Sequence, residues 1–152
     1  MFFRSALTAL SSAALLTVHS TCLHAAEYEV RMLTQSTQGH MVFEPAYLSV
    51  QVGDTVRFVP TQSGHYVRSM AVPDGAANWA SKEDETLTVT ITHEGLYLYM
   101  CPPHLMMGML GLIQAGAPHN RQPVQEVAED KRSRILMNRE RLDALLQKIT
   151  PQ

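Results

Sequence analysis

The run Leu96-Tyr97-Leu98-Tyr99-Met100-Cys101-Pro102-Pro103-His104-Leu105-Met106-Met107-Gly108-Met109-Leu110-Gly111-Leu112-Ile113-Gln114-Ala115 decides the fold. Two segments dense in large apolar residues, 96–100 and 109–115, flank a short stretch with adjacent prolines and a glycine, which breaks a strand. It reads as strand, loop, strand. Upstream, Tyr28, Val30 and Met32, extended by Thr34, alternate with polar or charged neighbours, the pattern of a half-buried strand. Leu48, Val50 and Val52 alternate likewise, Gly53-Asp54 supplies a turn, and Val56, Phe58 and Pro60 continue beyond it. Leu87, Val89 and Ile91 form another such set, closed by His93-Glu94-Gly95, while the polar, irregular stretch 72–85 is expected to be a long loop with room for a helical turn. Six to eight short strands separated by turn signals predict a mainly β chain built as an antiparallel sandwich or barrel.

Toward the C-terminus the character changes after Pro118. Pro123 is suited to opening a short helix over Val124 to Asp130, and Ile135, Leu142, Leu145, Leu146 and Ile149 fall on one face of a helical projection. A helical tail over about 122–150, packed on the sandwich, is expected. Toward the N-terminus, Arg4 precedes an uncharged apolar stretch from Ala6 to Val18, too short to cross a bilayer and followed by small residues. We read residues 1–26 as a secretory signal peptide cut after Ala26, with a cut after Ser20 as the alternative, and residues 27–152 as one domain. His19, Ser20 and Thr21 stand before Cys22 where a lipid-attachment motif would lie, so no membrane anchor is expected.

Composition limits the functions open to such a domain. The 152 residues are 45 % hydrophobic and 17 % charged, with a formal charge of −2. Nucleic-acid binding, which requires clustered Lys and Arg, is not expected. Two cysteines exclude a disulfide scaffold, and loss of Cys22 with the leader leaves Cys101 alone in an oxidising compartment. Such a thiol must be deeply buried or bound. The 152 residues hold seven histidines and nine methionines, five of the histidines (His40, His65, His93, His104 and His119) beyond the leader, and both residue types are metal donors.

The loop holds the chemistry. Cys101 and His104 are followed by Met106, Met107 and Met109, giving C-x2-H-x4-M to the last of them, although spacing alone does not choose among the methionines. A second imidazole, His65 in Ser63-Gly64-His65-Tyr66, follows the 56–60 strand and can reach the same end of a sandwich. Two His, one Cys and one Met are the donor set of blue-copper electron-transfer sites. The soft thiolate favours Cu(I), imidazole serves both oxidation states, and a weak thioether does not impose the square geometry that Cu(II) prefers. Structural zinc is held by Cys and His without thioether, and a nucleophilic Cys–His pair needs an orienting Asn or Asp. His40, His93 and His119 show no paired spacing, so a second copper site for substrate chemistry is not expected. The chain therefore reads as an electron carrier and not an enzyme. A copper-binding or delivery protein could use the same donors, but the Met-rich run that would mark one is missing.

Met41-Val42-Phe43-Glu44-Pro45-Ala46-Tyr47, Val52-Gly53-Asp54-Thr55-Val56, Gly64-His65 and Cys101 to Gly111 resemble, in order and spacing, the pseudoazurin family of bacterial cupredoxins. The resemblance runs from about Glu27 to Ile149, the helical tail included. It implies an eight-stranded Greek-key β-sandwich with two C-terminal α-helices, a monomer, and a periplasmic location. It also implies one type 1 copper, with the ligands falling on His65, Cys101, His104 and Met109, and with Met107 matching a methionine that is not a ligand. The implied role is shuttling single electrons between respiratory partners such as copper nitrite reductase or cytochromes. Docking is expected at an apolar patch that Pro103, Leu105 and Met106 form around His104, with Met41 nearby. Two departures stand out: Tyr66 occupies a position where the family usually has Asn, and Gln35, Ser63 and Met100 stand where lysines are common, leaving Lys82 almost alone.

Overall fold

The computed structural model describes residues 25–151, so the expected leader lies outside the described residues except for its last two positions. Eight strands follow: β1 Glu27–Ser36, β2 Gly39–Glu44, β3 Tyr47–Val50, β4 Thr55–Pro60, β5 Arg68–Ala71, β6 Leu87–Thr90, β7 Gly95–Met100 and β8 Leu110–Ala115. A 3₁₀ turn, Pro102–Met107, separates the last two, and helices α1 (Arg121–Arg132) and α2 (Glu140–Gln147) complete the chain. The strands form two four-stranded sheets, ordered β2-β1-β4-β6 and β3-β8-β7-β5. The expected sandwich is present, but it is not purely antiparallel: β1 runs parallel to β4, and β3 parallel to β8. Strand alternation identifies which face is buried and carries no information about the direction of a neighbour, which is why the sequence reading missed this.

Two apolar layers explain the unusual density of β7 and β8. Tyr97, Tyr99, Cys101, Met109 and Ile113 face the space between the sheets with Val30, Met32, Phe43, Val56 and Phe58. Leu96, Leu98, Leu110 and Leu112 point the other way, onto Val124 and Ala128 of α1, Leu142 and Leu145 of α2, and Ile135 and Ile149 outside the helices. A strand buried on both faces reads as a continuous apolar run, whereas β1 and β4, covered on one face, alternate. Arg57 on the outer face of β4 accordingly pairs with Glu27 and Glu29. At Gly111 a Cβ would lie 2.4 Å from the Tyr99 ring and hydroxyl, so only glycine lets β8 pass this buried ring.

Several finer expectations are corrected. Strands β2 and β5, which the sequence did not single out, carry no alternation: Val42 and Phe43 are buried side by side, and β5 shifts register between Ser69 and Ala71. Val52 continues the alternation of β3 but lies beyond its end and is 43 % exposed. The 72–85 segment contains no helical turn and instead makes an isolated bridge from Ala80 to Arg68. The stripe from Ile135 to Ile149 is buried on one side, yet only 140–147 is helical, because Asn138 takes a left-handed conformation (φ 54°) before α2.

Candidate metal centre

One end of the sandwich gathers His65, Cys101 and His104. Cys101 closes β7, and its backbone N–H donates to the Met109 carbonyl at 3.0 Å, which pins the start of the loop to its finish. Two prolines open the 3₁₀ turn, where their missing N–H groups cost nothing. Gly108 ends it in a left-handed conformation, φ 76°. His104 accepts from the Met109 amide at 3.2 Å and donates its own amide to the Cys101 carbonyl at 3.0 Å. Cys101 and Met109 are fully buried in the inter-sheet core, and His104 is partly exposed.

His65 arrives from the segment between β4 and β5 and is completely buried. Nδ1 of His65 lies 3.8 Å from the Cys101 sulfur, and Nδ1 of His104 lies 3.4 Å from it. The potential ligand atoms of the three residues all fall within 4.8 Å of one another, and they are the single such cluster among the described residues. Bond lengths of about 2.3 Å to sulfur and about 2.0 Å to nitrogen place two trigonal ligand atoms roughly 3.7 Å apart. The observed separations therefore suit one ion shared by thiolate and imidazoles, and the soft donor set suits copper.

Protonation is consistent with waiting ligands. Burial pushes the Cys101 thiol up to about 11, although the backbone N–H groups of Tyr66 and His104 favour the thiolate. Burial lowers both imidazoles, His65 further through the charge of His104, so neither competes as a cation near neutral pH. The Nε2 of His65 lies 3.0 Å from the Thr34 hydroxyl of β1, which turns Nδ1 toward the sulfur. Asp84 holds the backbone of the His65 segment: its carboxylate accepts from the amides of Gly64 (2.7 Å) and His65 (3.2 Å) and from the Ser63 hydroxyl (3.0 Å). These bonds, above all that from His65, keep Asp84 below the ordinary carboxylate range. Sequence reading used Thr34 as strand filling and passed over Asp84, because both act across a long stretch of chain.

The departure at Tyr66 leaves the backbone contribution to the thiolate in place. The expected apolar patch is altered. Leu105 is largely buried and packs in the helical layer, whereas Met106 is 50 % exposed and its carbonyl accepts from the amides of Leu136 (2.8 Å) and Met137 (3.0 Å). Leu136 and Met137, 60 % and 55 % exposed, lie beside Met106 as large apolar side chains open to solvent. Arg68 and Arg134 line the same shallow groove as Met100, Pro103 and Met106 and supply the positive charge that lysines do not.

Comparison with known proteins matches this geometry. Residues 30–116 fit the family of copper binding proteins, plastocyanin/azurin family. A pseudoazurin of Paracoccus pantotrophus is 41 % identical over 128 residues, covering 82 % of this chain and 85 % of its own. A pseudoazurin of Methylorubrum extorquens is 34 % identical over 154 residues, covering 98 % and 99 %. The crystal structure of native pseudoazurin from Hyphomicrobium denitrificans superposes with a TM-score of 0.69 at 32 % identity, covering 82 % of this chain and 98 % of that one. The chain belongs to the pseudoazurins, within the plastocyanin/azurin family of copper-binding proteins.

Proposed function

We propose that the protein is a periplasmic carrier of single electrons whose one type 1 copper is held by His65, Cys101, His104 and Met109. The observation that carries this reading is the convergence of two Nδ1 atoms on the buried Cys101 sulfur at 3.4 and 3.8 Å. Copper, when bound, supplies the one-electron Cu(II)/Cu(I) couple. The chain supplies the rest. Cys101 gives up its thiol proton on binding, His65 is locked by Thr34, and the loop from 101 to 109 is closed on itself by the Cys101–Met109 backbone bond. Ligands that cannot relax toward the preference of either oxidation state keep the rearrangement on electron transfer small.

His104 is the ligand candidate nearest the surface, and electrons are proposed to leave through its ring edge. The patch of Pro103, Met106, Leu136 and Met137, with Arg68 and Arg134 beside it, suits a partner presenting apolar and acidic groups, such as a copper nitrite reductase or a cytochrome. Encounters of this type use small interfaces, commonly below about 1,200 Å². Export through the 1–26 leader completes the reading. Within it, the Ala26 amide donates to Asp54 at 2.8 Å and the Ala26 carbonyl accepts from Thr55 at 2.9 Å. A cut after Ala26 removes both bonds, and a cut after Ser20 keeps them; the intact mass of the exported protein distinguishes the two.

The deciding experiment adds Cu(II) to the exported protein, records the visible spectrum, and cycles it with reductant and oxidant. An intense charge-transfer band that bleaches reversibly and is lost in Cys101→Ser is the expected result. A colourless protein that hands Cu(I) to a chelator within seconds is a delivery protein instead.

A further inference from the structure

The connection between α1 and α2 lies against the turn that leads from His104 to Met109. The amides of Leu136 and Met137 donate to the Met106 carbonyl at 2.8 and 3.0 Å, and the Asn138 carboxamide donates to the Met107 carbonyl at 2.8 Å. Arg141, at the start of α2, directs Nη1 at the His40 and Met41 carbonyls, 3.1 Å each, with the Met107 and Gly108 carbonyls at 3.5 Å. The contact is close: a Cβ on Gly108 would lie 2.9 Å from the carbonyl oxygens of both Met137 and Asn138. Two left-handed residues, Gly108 and Asn138, therefore abut, and each is of a type that tolerates that conformation.

This grip exceeds what docking the tail requires. Leu142, Leu145 and Ile149 are buried against β7 and β8, and Gln114 of β8 bonds both the amide and the carbonyl of Thr150, at 3.1 and 2.8 Å. Those anchors hold α2 without any contact to 106–108. The polar contacts instead act on the residues immediately before Met109. An axial thioether bond is weak and long, so its length is set by where the backbone puts the methionine more than by the metal. A partly desolvated guanidinium and a carboxamide bonded to carbonyls of that backbone are suited to fix it, and burial indeed lowers the pKa of Arg141.

We propose that Asn138 and Arg141 are positioning residues for the axial ligand, clamping the 106–108 turn so that the helical tail sets the placement of Met109. The inference rests on the assignment of Met109 as that ligand. It adds to that reading a control of the copper site from an element that contributes no ligand.

The test compares Asn138→Gly, which keeps the left-handed backbone and deletes the carboxamide, with Arg141→Met, Arg141→Lys and Leu142→Ala in the full-length copper-loaded protein. Asn138→Gly and Arg141→Met should change the intensity ratio of the visible charge-transfer bands and shift the reduction potential. Cu(II) affinity should fall several-fold, less than the roughly 10–100-fold typical of a group bonded directly to a ligand. Arg141→Lys should restore most of the ratio, and Leu142→Ala should lower thermal stability with the ratio unchanged. Lowered stability with an unaltered band ratio and potential in both Asn138→Gly and Arg141→Met overturns the proposal. Hydrogen exchange of the metal-free protein separates this outcome from a failure of the copper reading. The Met109 amide, bonded to His104, should exchange faster in the two variants whether or not the protein takes up copper, and unchanged exchange also overturns the clamp.

Discussion

Two segments bring an imidazole to the Cys101 sulfur, and they do so by opposite means. The 101–109 loop is shaped mainly from within: its prolines, its left-handed Gly108 and its Cys101–Met109 closure lie in the stretch they shape, and contacts from 136–141 reach only its 106–108 turn. The His65 segment has no comparable internal logic and is held from outside, by Thr34 of β1 on the ring and by Asp84 on the backbone. The exposures differ too, with His65 fully buried and His104 partly open. One imidazole is thus an interior fixture supported by distant chain. The other is placed mainly by its own loop and lies partly open at the surface.

Breaking the external support should reveal this asymmetry most strongly. Thr34→Val removes the hydroxyl that orients the His65 ring and keeps the size of the side chain; copper affinity should fall by roughly 10–100-fold, as for other groups bonded to a ligand histidine. An affinity within twofold of wild type in a competition titration against a chelator would mean that the ring is held by packing alone.

The pH dependence of affinity separates the thiol from the imidazoles. With the thiol raised to about 11 and both imidazoles lowered by burial, metal uptake at neutral pH displaces one proton, from Cys101. Affinity should rise about tenfold per pH unit from the lowered imidazole range up to about 11, and more steeply below it, where imidazoles also release protons. A pH-stat titration yielding no proton per copper at neutral pH would show that the thiol is already ionised.

Asp84→Asn probes the backbone side of the same support. It should weaken copper binding several-fold at all pH values above the carboxylate range. In the wild type the folded-state pKa is depressed, so the three hydrogen bonds are complete above the ordinary Asp value and are lost only as pH falls through the lower folded one. Acid release of copper should keep the same slope against pH in wild type and variant, with the variant's curve displaced to slightly higher pH by its weaker binding.

At the exposed edge of His104 the effect should be smallest and purely kinetic. Met106→Lys should slow electron exchange with a redox partner several-fold and leave the visible spectrum unchanged, and an unchanged rate would place the exit elsewhere.

The same asymmetry governed what the sequence revealed. The strands covered on one face were legible by alternation, and the doubly covered β7 and β8 by their apolar density. The flat patterns of β2 and β5, and the parallel pairings, required neighbours the chain reaches only on folding. The candidate donors of the loop stood out because Cys101, His104 and Met109 are ordered in one short run. His65 was located by its place after a strand and by family resemblance. Its supports, Thr34 and Asp84, and the contacts of Asn138 and Arg141 with the turn had no local signal, since each joins residues far apart in sequence. Leu105 misled because an apolar residue beside an exposed histidine reads as surface when the helical layer that buries it is out of sight.

The central claim is that one copper sits between these two segments, and anomalous diffraction from a crystal of the copper-loaded protein at the copper edge tests it directly. A single strong peak is expected within bonding distance of Nδ1 of His65, Nδ1 of His104 and the Cys101 sulfur, with the Met109 sulfur farther away. A peak at His40, His93 or His119, or one bonded to Cys101 without His65, would contradict it.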